Sequence, residues 1–365
     1  MKKTKITIFS SGLNIGGAER VSINLAIGFS KFGYDVDLLI LNKNIINENL
    51  FLSDKNINIK SLRASKARYA FFKLSLYLLK NQPTYFIATQ NYLSLITYPI
   101  SVIFIKTKFC FREANNPYLN KMNNNIIINK VLNFFIQFIY KSSKYIVAPS
   151  IGVKDKMEKF YNIKSKVTVI NNPVNIDMII TESKKLDPKY DKFFNIPCII
   201  NVGRLDKQKN HALLIDAFYL VSKEYKCNLI IVGRGKEKNN LNILIKKYNL
   251  ENNVFIFEKI NNPFALILKS TLFVLTSDYE GFPNSILEAL TLGLPVISTD
   301  CECGPREILE NGKYGTLIKN NDLNQLKDNI LKYLNKDNNE NYSDIISQKY
   351  NINKIAKEYL NLLNK

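Results

Sequence analysis

Apolar residues along this chain follow two spacings. Short runs rich in Ile, Val, Leu and Phe alternate with longer stretches in which apolar positions recur every three or four residues. The first spacing marks buried strands and the second amphipathic helices. In the first half the pattern predicts strands over 5–10, 35–41, 85–89, 109–112 and 145–148, with a helix over 17–32. In the second half it predicts strands over 199–202, 229–232, 254–257, 272–275, 296–298 and 315–318, with helical stretches between nearly all of them. Strands alternating with helices indicate parallel sheets built from right-handed crossovers. The expected fold class is therefore α/β, as two doubly wound Rossmann-like domains facing a cleft.

Length agrees with that division, because 365 residues exceed what one core ordinarily organises. The seam is expected at 171–177, followed by a polar stretch over 181–192. This gives an N-terminal, acceptor-side domain over 1–177 and a C-terminal, donor-binding domain over 190–349. A second polar break falls at 338–344, and a last helix within 350–365 is expected to return to the first domain. No apolar run reaches the 18 or so residues that a membrane span needs. The stretch 95–105 is too short, and 126–140 is interrupted by Asn and Lys. The N-terminus passes from Met1-Lys2-Lys3-Thr4-Lys5 straight into a strand, without the apolar core of a signal peptide.

Five scattered cysteines fit a reducing, cytoplasmic setting. Cys301-x-Cys303 has no partner cluster, so no metal site is expected. A formal charge of +20 makes anionic partners attractive. The chain lacks Trp and any motif of interleaved aromatic and basic residues. The charge is therefore read as favouring an anionic membrane surface or phosphate-bearing ligands, with no nucleic-acid partner.

Candidate chemistry lies on four loops, each following a strand, where open α/β sheets bind ligands. The first is Gly12-Leu13-Asn14-Ile15-Gly16-Gly17-Ala18-Glu19-Arg20. Its paired Gly16 and Gly17 would let a ligand approach the backbone at a helix N-terminus, although such a pair reads equally as a tight turn. It is not GxGxxG, and no phosphate-binding GxxxxGK[ST] occurs. The second, Val202-Gly203-Arg204-Leu205-Asp206-Lys207-Gln208-Lys209-Asn210, offers two cations, Arg204 and Lys209, beside a backbone opened by Gly203. An Arg fork and a Lys point charge suit a diphosphate; the bland alternative is a solvated basic loop. The third, Val232-Gly233-Arg234-Gly235, is a weaker glycine-rich exit. The fourth is Glu280-Gly281-Phe282-Pro283-Asn284-Ser285-Ile286-Leu287-Glu288. Here Glu280 stands above a strand end, and Glu288 stands two turns into the next helix. Both can accept hydrogen bonds from a pair of sugar or ribose hydroxyls; a capping Glu plus a solvated Glu is the alternative.

The order of these loops, continuing to Cys303-Gly304-Pro305-Arg306-Glu307, resembles the donor-binding domain of retaining glycosyltransferases of the GT-B fold, family 4. Glu280-x7-Glu288 matches that family's signature, and Gly16-Gly17-Ala18-Glu19-Arg20 matches its N-terminal loop. The likeness extends to bacterial enzymes that build lipid-linked oligosaccharides, capsule or lipopolysaccharide. It implies a metal-independent transfer from a nucleotide-diphosphate sugar, most simply a UDP-sugar, to a lipid-linked or surface-polysaccharide glycan. No resident cofactor is implied, and the place of work would be the inner face of the cytoplasmic membrane. Arg204 and Lys209 would neutralise the leaving diphosphate, Glu288 would hold the ribose, and Glu280 the transferred sugar, helped by N–H groups near Phe282, Pro283 and Asn284. The base would lie against Phe257 and Glu258, while Gly16 and Gly17 would admit the acceptor or the diphosphate.

Two departures stand out. Glu258 occupies a position where relatives often have Gly. Ala114, in Phe111-Arg112-Glu113-Ala114-Asn115-Asn116-Pro117, takes the place of a His many relatives carry. Arg112, Glu113 and Asn115 are then candidates to orient sugar or acceptor. The only His, His211, is expected to be structural or donor-adjacent. The helix within 65–80 mixes cations with apolar residues; a core-packing helix with its cations in water is the favoured reading, and a leaflet-surface helix the alternative. Two other functions compete, a sugar-nucleotide epimerase of related architecture and a non-catalytic sugar-nucleotide-binding protein. The first ordinarily uses more acid/base groups than are present, and only Ala114 and Glu258 hint at the second.

Overall fold

The computed structural model describes residues 4–13, 16–41, 56–64, 67–118, 125–164, 166–258, 260, 262–335 and 341–365. Met1 to Lys3, Asn14 and Ile15 of the first loop, Ser65 and Lys66, and residues 338–340 of the polar break lie outside the described residues. The chain forms two compact units, Met1–Val174 with Tyr350–Lys365, and Asn175–Lys349.

Unit 1 is a seven-stranded sheet in the order β3-β2-β1-β4-β5-β6-β7, every pair parallel. Its strands are β1 (Lys5–Ser10), β2 (Asp35–Ile40), β3 (Ile57–Ser61), β4 (Tyr85–Ala88), β5 (Lys108–Arg112), β6 (Tyr145–Ala148) and β7 (Val167–Val169). Helices α1 (Gly17–Lys31), α2 (Ala67–Asn81), α3 (Asn91–Ser101), α4 (Ile126–Ser142) and α5 (Ile151–Tyr161) connect them. Strand order reverses at β1. Right-handed crossovers therefore place α1 on one face of the sheet and α2 to α5 on the other. β4 and β6 are apolar throughout because both of their faces are covered.

The edge strands β3 and β7 are the elements the hydrophobic pattern does not predict. β7 has only three residues, and β3 is half-exposed and polar, Ile-Asn-Ile-Lys-Ser. Its Lys60 has a structural reason to be there: Nζ lies 2.8 Å from Oδ2 of Asp37, buried on β2. The C-terminal helix, Ile352–Leu363, lies on α1. Its Ile355, Ala356, Tyr359 and Leu363 join the core formed by Leu25, Phe29 and the strands. Gly28 makes that approach possible, since a Cβ there would sit 2.8 Å from the Ala356 Cβ and 2.9 Å from the Ile352 carbonyl oxygen.

Unit 2 is a six-stranded parallel sheet in the order β10-β9-β8-β11-β12-β13. The strands are β8 (Cys198–Val202), β9 (Asn228–Val232), β10 (Val254–Phe257), β11 (Leu272–Leu275), β12 (Val296–Thr299) and β13 (Thr316–Ile318). Its helices are α6 (Ile176–Ser183), α7 (His211–Ser222), α8 (Lys238–Lys247), α9 (Phe264–Lys269), α10 (Asn284–Thr291), α11 (Pro305–Ile308), α12 (Leu323–Leu334) and α13 (Ser343–Tyr350). The core runs from Phe218 on α7 through Leu229, Ile199, Val274 and Ile297 on the strands to Ile330 on α12. The polar stretch 181–192 belongs to this unit rather than to a linker. Its tail is a 3-10 turn, Pro188–Phe194, whose Phe193 packs on Phe255 and Phe257 of β10. Strand order reverses between β8 and β11, which brings the exit loops of those two strands side by side.

Among the described residues no helix is long and apolar enough to cross a membrane.

Candidate active site

The site of interest is where the β8 and β11 exits meet. After β8 the chain makes a 3-10 turn, Lys207–Lys209, and then Asn210 takes a left-handed conformation (φ 46°) that starts α7. Asn is one of the few residues that tolerates this φ, and its side chain accepts from the Leu213 N–H, capping the helix. The same side chain donates to Asp278 Oδ1 at 3.0 Å and to Asn321 Oδ1 at 2.8 Å. The Gln208 side chain donates to the Tyr279 carbonyl at 2.8 Å, and the Asp278 N–H donates to the Gln208 carbonyl. Thr276 Oγ1 donates to the carbonyls of Lys209 and Asn210. The two loops are thus stitched into one rigid surface.

On that surface Lys209 Nζ meets Glu280 Oε1 at 2.5 Å, and Ser277 Oγ donates to the same oxygen at 2.6 Å. Both charged side chains are nearly enclosed, at 12% and 8% exposure. Ser277 is itself held by Thr299 of β12, whose hydroxyl donates to the Ser277 carbonyl. The Glu280 N–H donates to the Glu302 carbonyl, which ties the β12 exit to the same loop. An enclosed, hydrogen-bonded pair of this kind is fixed in direction.

Arg204 is placed differently. Its side chain is 69% exposed, with Nη2 3.3 Å from both Asp206 Oδ2 and Gln208 Oε1. Lys209 is set into the loop surface while Arg204 stands out from it. Gly203 lies over the Lys209 stem, where a Cβ would make ordinary contact at 3.4 Å. The demanding glycines are Gly233 and Gly235 at the β9 exit, because a Cβ would fall 1.7 Å from the Gly203 carbonyl oxygen and 2.0 Å from that of Leu205. The β9 exit, weak as a sequence signal, is what lets the basic loop pack against its neighbour.

Glu288 is buried on α10. The helix begins at Asn284 with Pro283 as its N-cap residue, so Glu288 is its fifth residue, closer to the N-terminus than the two turns expected from the sequence. Phe282 and Pro283 are buried and Asn284 is half-buried beside it. Phe257 packs its ring against Tyr190 and Phe193, 5.2 and 5.3 Å between centroids. Glu258 is ion-paired with Lys238, and its carbonyl accepts from Arg234 Nε at 2.8 Å. Arg306 at the start of α11 pairs with Asp300. His211 is buried under the loop, with Nε2 3.0 Å from Asn201 Oδ1. Since Asn201 donates its own amide to the Val274 carbonyl, that oxygen is the acceptor and His211 Nε2 carries the proton. Burial, with Lys209 nearby, pushes the imidazole pKa down to about 3. His211 is a neutral structural group.

The unit 1 candidates sit at the carboxyl edge of its sheet. Gly16 is the N-cap of α1 with extended backbone (φ −109°), and Gly17 opens the helix. Arg112 and Glu113 are interior. Arg112 donates to the Thr89 carbonyl and, at 2.5 Å, to Asn172 Oδ1. Glu113 accepts from the Ala114 N–H and from the Tyr140 hydroxyl, and burial pushes its carboxyl pKa up to about 7. Ala114 and Asn115 are half-buried, and Asn115 Oδ1 accepts from the Asn116 N–H. Arg112 and Glu113 therefore brace the end of β5.

The chain has known relatives. A family model described as glycosyl transferases group 1 matches residues 182–352, and one described as glycosyltransferase family 4 matches residues 15–178. The N-acetylgalactosamine-N,N'-diacetylbacillosaminyl-diphospho-undecaprenol 4-alpha-N-acetylgalactosaminyltransferase of Campylobacter jejuni is 30% identical over 327 residues, 86% of each chain. The chain belongs to glycosyltransferase family 4. An uncharacterized glycosyltransferase of Methanocaldococcus jannaschii is 37% identical over 230 residues, so the chain spans 56% of that relative's length. Among solved structures, Anabaena Alr3699/HepE in complex with UDP and glucose matches with a TM-score of 0.81 at 18% identity, covering 99% of each chain. That likeness carries the fold, which is GT-B. As a family 4 enzyme the protein is a glycosyltransferase.

Sequence reasoning did not single out Ser277, Asn210 or Thr276. An Asn between a basic turn and a helical stretch was the one available signal, and it is a weak one.

Proposed function

We propose that the protein transfers a sugar, with retention and without a metal ion, from a UDP-sugar to a lipid-linked or surface-polysaccharide glycan. It would work at the cytoplasmic face of a membrane. The observation that carries this reading is the enclosed Lys209–Glu280 pair at the point where strand order reverses in unit 2. Open α/β sheets bind ligands at that position. Lys209, with the exposed Arg204, neutralises the departing diphosphate, the task a divalent cation performs elsewhere. Glu280 holds hydroxyls of the transferred sugar, with Ser277 and Lys209 fixing its direction. The N–H groups of Phe282 and Asn284 support it from the start of α10, while Glu288 takes the ribose. The base rests near Phe257 and Glu258. With His211 locked neutral and Ala114 unable to take a proton, the departing phosphate oxygen accepts the acceptor's proton during front-face attack. Unit 1, with Gly16 and Gly17 at the end of its first strand, serves the acceptor.

The test is release of free nucleotide from a panel of UDP-, GDP- and ADP-sugars, without added metal, with and without extracted lipid-linked glycans. Turnover should require one UDP-sugar and the lipid fraction. Lys209→Met should lower kcat by roughly 10²–10³, the cost of removing one group that stabilises developing charge, and Glu280→Gln by a similar factor. Full turnover in either variant, or an absolute need for a divalent cation, would sink the proposed roles.

A further inference from the structure

Unit 1 carries an apolar surface that its own fold leaves uncovered. Helices α2, α3 and α4 pack side by side over one face of its sheet. On α4 the positions Ile127, Val131, Phe134, Phe135 and Phe138 are all exposed, Ile127 at 72% and Phe134 at 66%. They recur at i, i+4, i+7, i+8 and i+11, which is a single stripe along the helix. The opposite stripe, Ile136, Ile139 and Tyr140, is the one buried in the unit. α4 is therefore apolar on both faces, whereas a solvated helix has a polar outer face. α2 repeats the arrangement: Phe72, Leu76 and Leu79 are exposed, while Leu74 and Leu78 are buried. Its buried Leu74 and Leu78 and its exposed Lys73 and Lys80 agree with the reading of a core-packing helix with cations in water, but Phe72, Leu76 and Leu79 stand in water beside those cations. In the loop just after α3, Ile103 and Ile105 are exposed as well. Exposed apolar side chains thus recur on α2 and α4 of one packed helix layer, and apolar surface left uncovered in this way marks an interaction site.

Charge identifies the occupant. Residues 55–154 contain fifteen Lys and Arg and a single carboxylate, Glu113, which is buried. The exposed cations include Lys73 and Lys80 on α2, Lys106 beside Ile105, and Lys130 and Lys141 on α4. An apolar stripe flanked by cations, on three helices α2, α3 and α4 that carry no Asp or Glu, matches a bilayer with anionic headgroups. It opposes a second copy of the chain, because two such faces would bring like charges together. Both α2 and α4 begin at the carboxyl edge of the sheet, the edge that carries Gly16, Gly17 and the Arg112–Asn116 loop.

We propose that the α2–α3–α4 face of unit 1 is a docking surface for an anionic bilayer, with α4 and α2 lying in the headgroup boundary rather than spanning it. The acceptor-side loops then sit at the lipid surface. The proposal deepens the membrane part of the functional reading and rests on it for its purpose, but docking itself needs neither donor nor turnover.

The experiment is flotation of the full chain with phosphatidylglycerol–phosphatidylcholine vesicles and with pure phosphatidylcholine vesicles. UDP-sugar binding is followed by calorimetry on the same samples. Partitioning should be at least tenfold stronger on the anionic vesicles. It should fall at least tenfold in Phe134→Ser/Phe138→Ser and in Lys130→Glu/Lys141→Glu, with donor affinity unchanged. Ile243→Ser, which removes an exposed apolar residue from unit 2, should float like the parent. Equal flotation of parent and α4 variants overturns the proposal, as does no preference for anionic lipid. A dimer in light scattering that the Phe variants dissociate also overturns it, by assigning the face to a second copy. Vesicle binding without any donor binding would instead leave docking intact and defeat the transferase reading.

Discussion

Lys209 and Glu280 show how one contact sets the character of a site. Each would be costly to enclose alone, and together they are affordable only because Ser277 and the stitched loops fix their geometry. Two other buried titratable groups give the residue scale a pH signature. His211 stays neutral when folded, with its pKa near 3, while the unfolded chain binds a proton below about 6.5. Between those values the unfolded state holds more protons, so stability falls as pH drops from about 6.5 towards 3. The slope approaches ~1.4 kcal/mol per pH unit for one fully linked site. Glu113 has the opposite sign. Its folded pKa near 7 lies above the ordinary carboxylate value, so its contribution falls as pH rises through the interval from about 4.5 to 7. Urea midpoints across pH should therefore flatten at the acid end in His211→Gln and at the neutral end in Glu113→Gln. Unchanged profiles would mean that these groups are not held as the structure places them.

At the scale of elements, the decisive feature is how adjacent strand exits fit. β8 and β9 run in register to Val202 and Val232, and the chain then leaves both strands through glycine. The Gly233 contact with the Gly203 carbonyl leaves no room for a side chain. Gly233→Ala should cost about 1–3 kcal/mol through overpacking. Because the displaced backbone carries Arg204 and leads to Lys209, donor affinity should weaken as well. Thermal melts and calorimetry on one sample test both, and a fully stable variant with parental donor affinity would refute the packing argument.

At the scale of the whole molecule, the two units differ in continuity. Unit 2 is one uninterrupted segment, Asn175–Lys349, with its own core. Unit 1 draws on both ends of the chain, its C-terminal helix covering Leu25 and Phe29. A fragment of residues 175–349 should fold cooperatively and bind the UDP-sugar. Removing residues 351–365 from the full chain should lower the melting temperature of unit 1 by uncovering that core, while donor binding persists. Differential scanning calorimetry with and without nucleotide distinguishes the two, and loss of donor binding on truncation would contradict this division of labour.

The sequence by itself determined the element types, the α/β class and the family. Strands such as β1, β6 and β11 lie inside their sheets and are almost wholly buried, so an apolar run fixes them within a residue or so. The motif residues were legible because glycine, paired carboxylates and an Arg–Lys loop are chemically conspicuous. The short or half-exposed edges β3 and β7 escaped, since pairing with a neighbour rather than hydrophobic periodicity defines them. Only the tertiary structure decided which cation is enclosed with Glu280 and which stands in solvent. The same holds for Gly233, whose role is a contact with a residue thirty positions earlier. The apolar stripe of α4 could be read from the sequence as a helix packed on both sides. That one side faces outward follows from what the fold places beside it, because exposure depends on neighbours that local sequence does not encode.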